Sequence, residues 1–195
     1  MRTRSSGYSL VELSVVMAIG AALLGSAVPG YLAGLDDYRA NGAARHLSAR
    51  FQRARMEAVM RSATVAVQFT QTSIGYSYAV FLDGNRNGVL TRDIQRGVDV
   101  PIGAVERLPD QFRGVEFGAI PGLPPVDSGG TPPGSDPIRL GSGSLASFTA
   151  MGTSSSGTVY IRGGHDAQYA VRIFGETGKT RVMKFDPGTR QWRQL

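Results

Sequence analysis

The chain has no cysteine among its 195 residues, which excludes disulfides, thiolate zinc or iron–sulfur centres and a cysteine nucleophile. Histidine is almost as scarce. His46 and His165 are the only two, which argues against an imidazole metal cluster. No nucleophile elbow is present, and no histidine and acid frame a catalytic serine, so the many serines read as turn residues and the chain as a non-enzyme. Charged residues make up 18% against 42% hydrophobic, too apolar for a disordered chain. The 26 glycines and 10 prolines follow no triplet period, which excludes collagen and leaves a globular, turn-rich fold. The net charge of +6 permits attraction to nucleic acid, anionic lipid or acidic partners without selecting among them. The length suits one domain with an appended element.

The appended element is apolar. Leu13 to Leu35 is a run of 23 residues without a charge. As a helix it spans about 35 Å, against a hydrocarbon core of about 30 Å. The preceding MRTRSSG carries Arg2 and Arg4, a cationic flank that stays cytoplasmic and places the bulk of the chain on the far side of the membrane. An ordinary secretory signal has a shorter apolar region, about 7–15 residues, with a small-x-small cleavage site after it. A plain signal anchor does not explain Glu12, which lies inside the apolar stretch that begins at Tyr8. An ionisable group at that depth costs a few kcal/mol unless it is paired, and so marks a functional position.

Gly7-Tyr8-Ser9-Leu10-Val11-Glu12 and the apolar run after it closely resemble the class III signal of type IV prepilins and type II secretion pseudopilins. The resemblance implies that a prepilin peptidase cuts between Gly7 and Tyr8 and that the new N-terminus is methylated. Tyr8 stands where the family more often has Phe. Glu12 becomes the fifth residue of the mature chain, where the family's carboxylate pairs with the N-terminal amine of a neighbouring subunit. A partner charge would neutralise it in lipid and set the stagger between helices. Pro29 falls where pilin helices commonly carry a proline and is expected to kink or loosen the helix.

From Leu35 to about Arg61 the chain stays helix-compatible, with Ala40, Ala43, Leu47, Phe51, Ala54 and Ala58 at three- and four-residue steps. Arg39, Arg50, Arg53 and Arg61 project beside that stripe and read as a solvated face. Period-two alternation then begins at Val65, Val67 and Phe69, followed by the apolar run Tyr76 to Leu82. Further strands are expected at 114–117, 145–149, 158–162, 168–174 and 180–185. Residues 118–143 hold six prolines and seven glycines and read as a long surface loop. The expected fold class is α+β, a long, partly transmembrane helix packed on an antiparallel sheet. The expected segments are a leader (1–7), a transmembrane helix half (8–35), a periplasmic helix half (36–62) and a β-rich periplasmic domain (63–195).

Ser147-Phe148-Thr149-Ala150-Met151-Gly152, Ser155-Ser156-Gly157-Thr158-Val159-Tyr160 and Ala170-Val171-Arg172-Ile173 are similar to the GspH/FimT group of minor pilins and pseudopilins, as is the turn Asp83 to Gly88. That resemblance implies assembly with other pilin-like subunits on an inner-membrane platform, in a type II secretion pseudopilus that assists protein export. The alternative is a FimT-like minor type IV pilin that binds DNA. Some members of that branch use a Gly-Arg-x-Arg element, which Gly178-Lys179-Thr180-Arg181 resembles with Lys for the first Arg. The candidate DNA-binding residues are Lys179, Arg181, Arg190 and Arg193, with Phe185 and Trp192 as stacking partners.

Asp83, Asn85 and Asn87 with Gly88 form the first half of a calcium loop, but Ile94 stands where the bidentate carboxylate belongs and Asp93 sits one residue early, so a plain turn is favoured over a calcium site at Asp83, Asn85, Asn87 and Asp93 and no cofactor is expected. Gly175 to Thr180 mimics a P-loop. Ile173 replaces its first glycine and a strand-like segment follows, which rules that out.

Overall fold

The computed structural model of the protein describes residues 7–141, 143–165 and 167–195, and leaves out the side chains of Ser26, Ala27 and Pro29. The leader arginines Arg2 and Arg4, Asp166 and the Pro29 side chain, with the kink expected there, lie outside the described residues. The chain divides into two compact units, Met1–Leu35 and Asp36–Leu195. Helix α1 (Leu10–Arg61) contributes to both.

In the first unit α1 is apolar and exposed. Leu10, Met17 and Leu24 are each 66–85% accessible, and the helix contains a segment long and apolar enough to cross a membrane. In the second unit the expected stripe is buried, with Ala40, Ala43, Leu47, Phe51, Ala54 and Ala58 all at most 2% exposed. Phe51 packs its ring against Phe69 and Phe148. The helix ends in a left-handed residue, Ser62 (φ 48°), where the Ala63 N–H returns to the Ala58 carbonyl at 3.2 Å.

Two antiparallel sheets pack on this stripe. The first has the order β3 (Val100–Pro101), β2 (Gly75–Leu82), β1 (Val65–Thr72), β6 (Leu145–Phe148). The second runs β10 (Gln191–Gln194), β9 (Lys179–Asp186), β8 (Gln168–Phe174), β7 (Gly157–Arg162), β4 (Glu116–Phe117). A further strand, β5 (Ile138–Leu140), also pairs with β7. Two short helices, α2 (Thr91–Gln95) and α3 (Leu108–Gln111), sit in the connection from β2 to β4. The main core gathers the helix stripe with Val65, Val67, Phe69, Tyr78, Phe148, Val159, Ile161, Tyr169, Val171 and Ile173.

The helix is also fastened by polar contacts at the start of the second unit. The buried Asp36 carboxylate accepts the Gly164 and His165 N–H groups at 2.7 and 2.8 Å. A Cβ on Gly163 would fall 2.5 Å from Asp36 Oδ2, so only glycine permits this approach. Asp37 accepts from the Tyr169 hydroxyl at 2.9 Å and pairs with Lys184 Nζ at 2.7 Å.

Two expectations need correction. Residues 118–143 are not merely a surface loop. Leu123 is 3% exposed and joins Tyr160, Ala170 and Phe185 in a second core on the far side of the second sheet, with Trp192 and Met183 against it. The buried Gln168 amide holds the loop down, accepting from the Ile120 N–H at 2.9 Å and donating to the Gly118 carbonyl at 3.2 Å. Strand β5 lies inside the same stretch, because a strand at a sheet edge needs only one satisfied side. The Pro137 carbonyl, which proline keeps, accepts the Tyr160 N–H at 2.9 Å. The arginine face of α1 also departs from simple solvation, since Arg50 forms an ion pair with Glu106.

Candidate functional site

Gly7 and Tyr8 precede the helix, and Tyr8 is 86% exposed. Ser9 is the N-cap, its Oγ accepting from the Val11 N–H at 3.2 Å and the Glu12 N–H at 3.5 Å. The Gly7–Tyr8 bond therefore lies in chain that no helical hydrogen bond protects. Glu12 sits in the first helical turn, where the helix dipole favours a negative charge. Its side chain meets no cation among the described residues.

The Gly178-Lys179-Thr180-Arg181 element alternates between two jobs because it opens a strand. Gly178 adopts φ +61° with its would-be Cβ 2.5 Å from the Gly152 carbonyl oxygen and 2.8 Å from Arg55. Gln52 Nε2 donates to the Gly178 carbonyl at 3.2 Å and to Thr180 Oγ1 at 3.1 Å, and Ser48 Oγ lies 2.7 Å from Thr180 Oγ1. Gly178 and Thr180 thus serve the helix. Lys179 and Arg181 point to the opposite face. There Arg181 lies across β8 from Arg172, and both guanidiniums sit over the Phe174 ring, at 4.9 and 5.5 Å from its centroid. A cavity of about 650 Å³ lined by Ser154, Ser156, Phe174, Thr177, Lys179 and Arg181 opens beside them.

The other two candidate cations stand apart from this pair. Arg190 lies in the β9–β10 turn and donates to the Gly122 carbonyl at 3.0 Å. Arg193 pairs across β10 with Lys184, on the sheet face opposite Arg181, and its guanidinium meets Asp186. Phe185 and Trp192 are not free to stack on bases. Trp192 packs on Tyr160 and Phe185 and donates from Nε1 to the Pro124 carbonyl at 3.0 Å. The aromatic that does sit between cations is Phe174.

The Asp83 turn is closed by its own backbone. Asp83 accepts N–H bonds from Asn85, Arg86 and Gly88 at 3.1, 2.7 and 2.7 Å. The Asn87 amide donates to Asp93 at 3.0 Å and holds that carboxyl below its usual range against the opposing pull of burial. Asp99, which the sequence does not single out, accepts from Gly84 and Leu90 at 3.1 and 2.9 Å. These oxygens are oriented by amides in the manner of an Asx turn. Among the described residues no cluster of three His, Cys, Asp or Glu side chains forms a metal site.

Sequence reading also misses Glu106. Its carboxylate receives His46 Nε2 at 3.3 Å, Tyr78 Oη at 3.1 Å, Gln111 Nε2 at 3.3 Å and the Arg50 guanidinium. Burial pushes Glu106 up, but the His46 bond and the Arg50 charge prevail and hold it below the ordinary glutamate range. Burial and the Glu106 charge push Tyr78 up strongly.

Comparison with known proteins gives a family match for the body of the chain and a motif match at its N-terminus. Residues 43–177 match the family model described as Type II transport protein GspH, and residues 2–28 match the prokaryotic N-terminal methylation motif. The Pilin-like protein PilA1 of Thermus thermophilus is 40% identical over 82 residues, which cover 42% of this chain and 50% of that relative. The match thus spans half the length of the curated relative. No solved structure matches.

Proposed function

Because the chain belongs to the Type II transport protein GspH family, we propose that it acts as a minor pseudopilin of a type II secretion system, a structural subunit and not a catalyst. The broader assignment, a pilin-like subunit of the type II secretion and type IV pilin kind, is carried by the family match and the methylation motif together. The finer reading is supported by the family description, and its membrane-anchored assembly by the stretch 10–35 of α1, apolar with most of its described side chains exposed and one carboxylate, Glu12, near its start. Such a surface is stable in lipid or against the same surface of other subunits. In this reading a prepilin peptidase cuts after Gly7, the N-terminal amine of Tyr8 is methylated, and Glu12 of one subunit pairs with that amine on the next. The segment after Leu35 is periplasmic and presents its two sheets to partner subunits.

The test is the intact mass of the full chain extracted from membranes after co-expression with a prepilin peptidase. Loss of MRTRSSG with gain of one methyl group is expected, and replacement of Gly7 by a bulky residue abolishes it. An uncut wild-type chain beside a processed control prepilin would remove the assignment. Glu12→Leu leaves processing intact and impairs incorporation into filaments.

A second reading rests on Lys179 and Arg181, whose side chains flank Phe174 with no hydrogen-bond partner among the described residues. It makes the subunit a DNA-binding minor pilin. DNA affinity would then fall steeply with salt and vanish on charge reversal of both residues; salt-independent binding refutes it.

A further inference from the structure

The far face of the second sheet carries a line of side chains that the element at 178–181 does not account for. Arg139 on β5 pairs across to Thr158 on β7, and Thr158 to Arg172 on β8. At about 4.8 Å between strands, the two arginines stand about 10 Å apart with a threonine hydroxyl between them. They line a cavity of about 570 Å³, roofed by Pro125–Asp127 and Gly130–Thr131, with Ser144 and Asp136 at its margins. That volume falls within the range of small-ligand sites.

Arg172 is only partly satisfied there. Its Nη2 pairs with Asp127 Oδ2 at 2.6 Å, while its buried Nε has no hydrogen-bond partner among the described residues. A buried guanidinium N–H left without a protein acceptor is costly, and an oxyanion placed beside it would relieve that cost. Arg139 is exposed and has no hydrogen-bond partner among the described residues. Asp127, in contrast, is nearly half exposed and belongs to the roof, beside Val126, which packs against the second core.

We propose that this cavity binds an acidic side chain from an extended segment of a partner protein, with Arg172 and Arg139 as its cationic anchors and Asp127 as the internal carboxylate it displaces. Asp127 already displays the chemistry, a carboxylate on the Arg172 fork. The surroundings select a carboxylate over a nucleic acid. Asp127 and Asp136 balance Arg139 and Arg172, so the cavity lacks the net positive charge that drives binding of a polyphosphate. Its remaining walls, Gly130, Gly141, Gly143 and Gly157 with Thr131 and Thr158, leave room and polar groups for peptide backbone. Every residue of the site belongs to one subunit.

The experiment titrates the full chain, in detergent, with fluorescein-labelled Gly-Asp-Gly-Gly amide and its Gly-Asn-Gly-Gly counterpart by fluorescence polarisation. The aspartyl peptide binds and the asparaginyl peptide binds at least about tenfold more weakly, the scale of a charge-assisted bond. Asp127→Asn tightens binding severalfold by removing the internal competitor, Arg172→Gln weakens it about tenfold or more, and Arg139→Gln weakens it less. Trp192 emission reports whether each variant is folded. If Arg172→Gln does not fold, the opposite effects of Asp127→Asn and Arg139→Gln still decide. Equal binding of the two peptides, or no tightening with Asp127→Asn, overturns the proposal. So does oligothymidylate binding tighter than the peptide with the same dependence on Arg172. Loss of peptide binding in a Lys179→Ala, Arg181→Ala double variant would likewise refute it by moving the site to the neighbouring patch.

Discussion

Replacing Gly178 with alanine separates the part of the Gly178-Lys179-Thr180-Arg181 element that holds the fold from the part that faces outward. At φ +61° an L-residue costs about 1–2 kcal/mol. The added methyl would also sit 2.5 Å from the Gly152 oxygen and 2.8 Å from Arg55 Cδ and Nε, so Arg55 must leave. Its departure breaks the 2.9 Å bond from Arg55 Nε to the Gly152 carbonyl. A bond with a charged donor contributes about 1.5–3 kcal/mol. The sum, about 2.5–5 kcal/mol, is a large share of the 5–15 kcal/mol typical of a folded domain. In a chain of this size it lowers Tm by roughly 5–20 °C. Thermal unfolding followed through Trp192, which is packed on Tyr160 and Phe185, reads this directly. Lys179→Ala and Arg181→Ala, at exposed positions, shift stability by no more than about 0.5 kcal/mol. A Gly178→Ala variant as stable as the wild type would refute the left-handed backbone and the clash together.

Three other outcomes follow from the polar clusters. Glu106 is depressed when folded, so its stabilisation is present above the unfolded glutamate value, about 4.3, and is lost as pH falls through the folded value. Glu106→Gln costs about 2–4 kcal/mol at neutral pH and flattens the acid limb of a Tm-against-pH curve; an unchanged limb would refute the role. Tyr78 and Tyr169 are raised, so they favour the fold below the unfolded tyrosine value, about 10, and this is lost as pH rises beyond it. Absorbance at 295 nm then shows both ionising only with alkaline unfolding. Asp83→Ala strands three turn amides and costs about 1–3 kcal/mol, while a chelator leaves the wild-type Tm unchanged. A chelator-induced drop would restore calcium to the turn.

What was legible in the sequence was periodic. The stripe from Ala40 to Ala58 and strand β8 at Gln168–Phe174 could be read because one spacing repeats over several turns or pleats. Strands β5 and β10 and helices α2 and α3 have three to five residues and no room for a period. The carboxylate at Glu106 left no trace because two of its partners, His46 and Arg50, lie more than fifty residues upstream. Trp192 and Phe185 misled for a related reason. Beside cations in sequence they resemble a stacking surface, and only the folding of the 118–126 segment onto the sheet turns them into core. Arg172 was visible as part of a family-like strand, but its cavity exists only once Asp127 has come over it.

The Asp36 and Asp37 contacts bear on mechanics. A subunit drawn out of a bilayer by its N-terminal helix receives the load at residue 36, where the second unit begins. At that first residue the carboxylate already grips the turn after β7, and the next one holds β8 and β9 through Tyr169 and Lys184. Tension entering there is shared at once among several polar bonds within the second unit, and is not passed turn by turn along an alanine-lined interface. The aspartates work like the stitches at the top of a seam, so that hauling on the thread lifts the cloth instead of unpicking it.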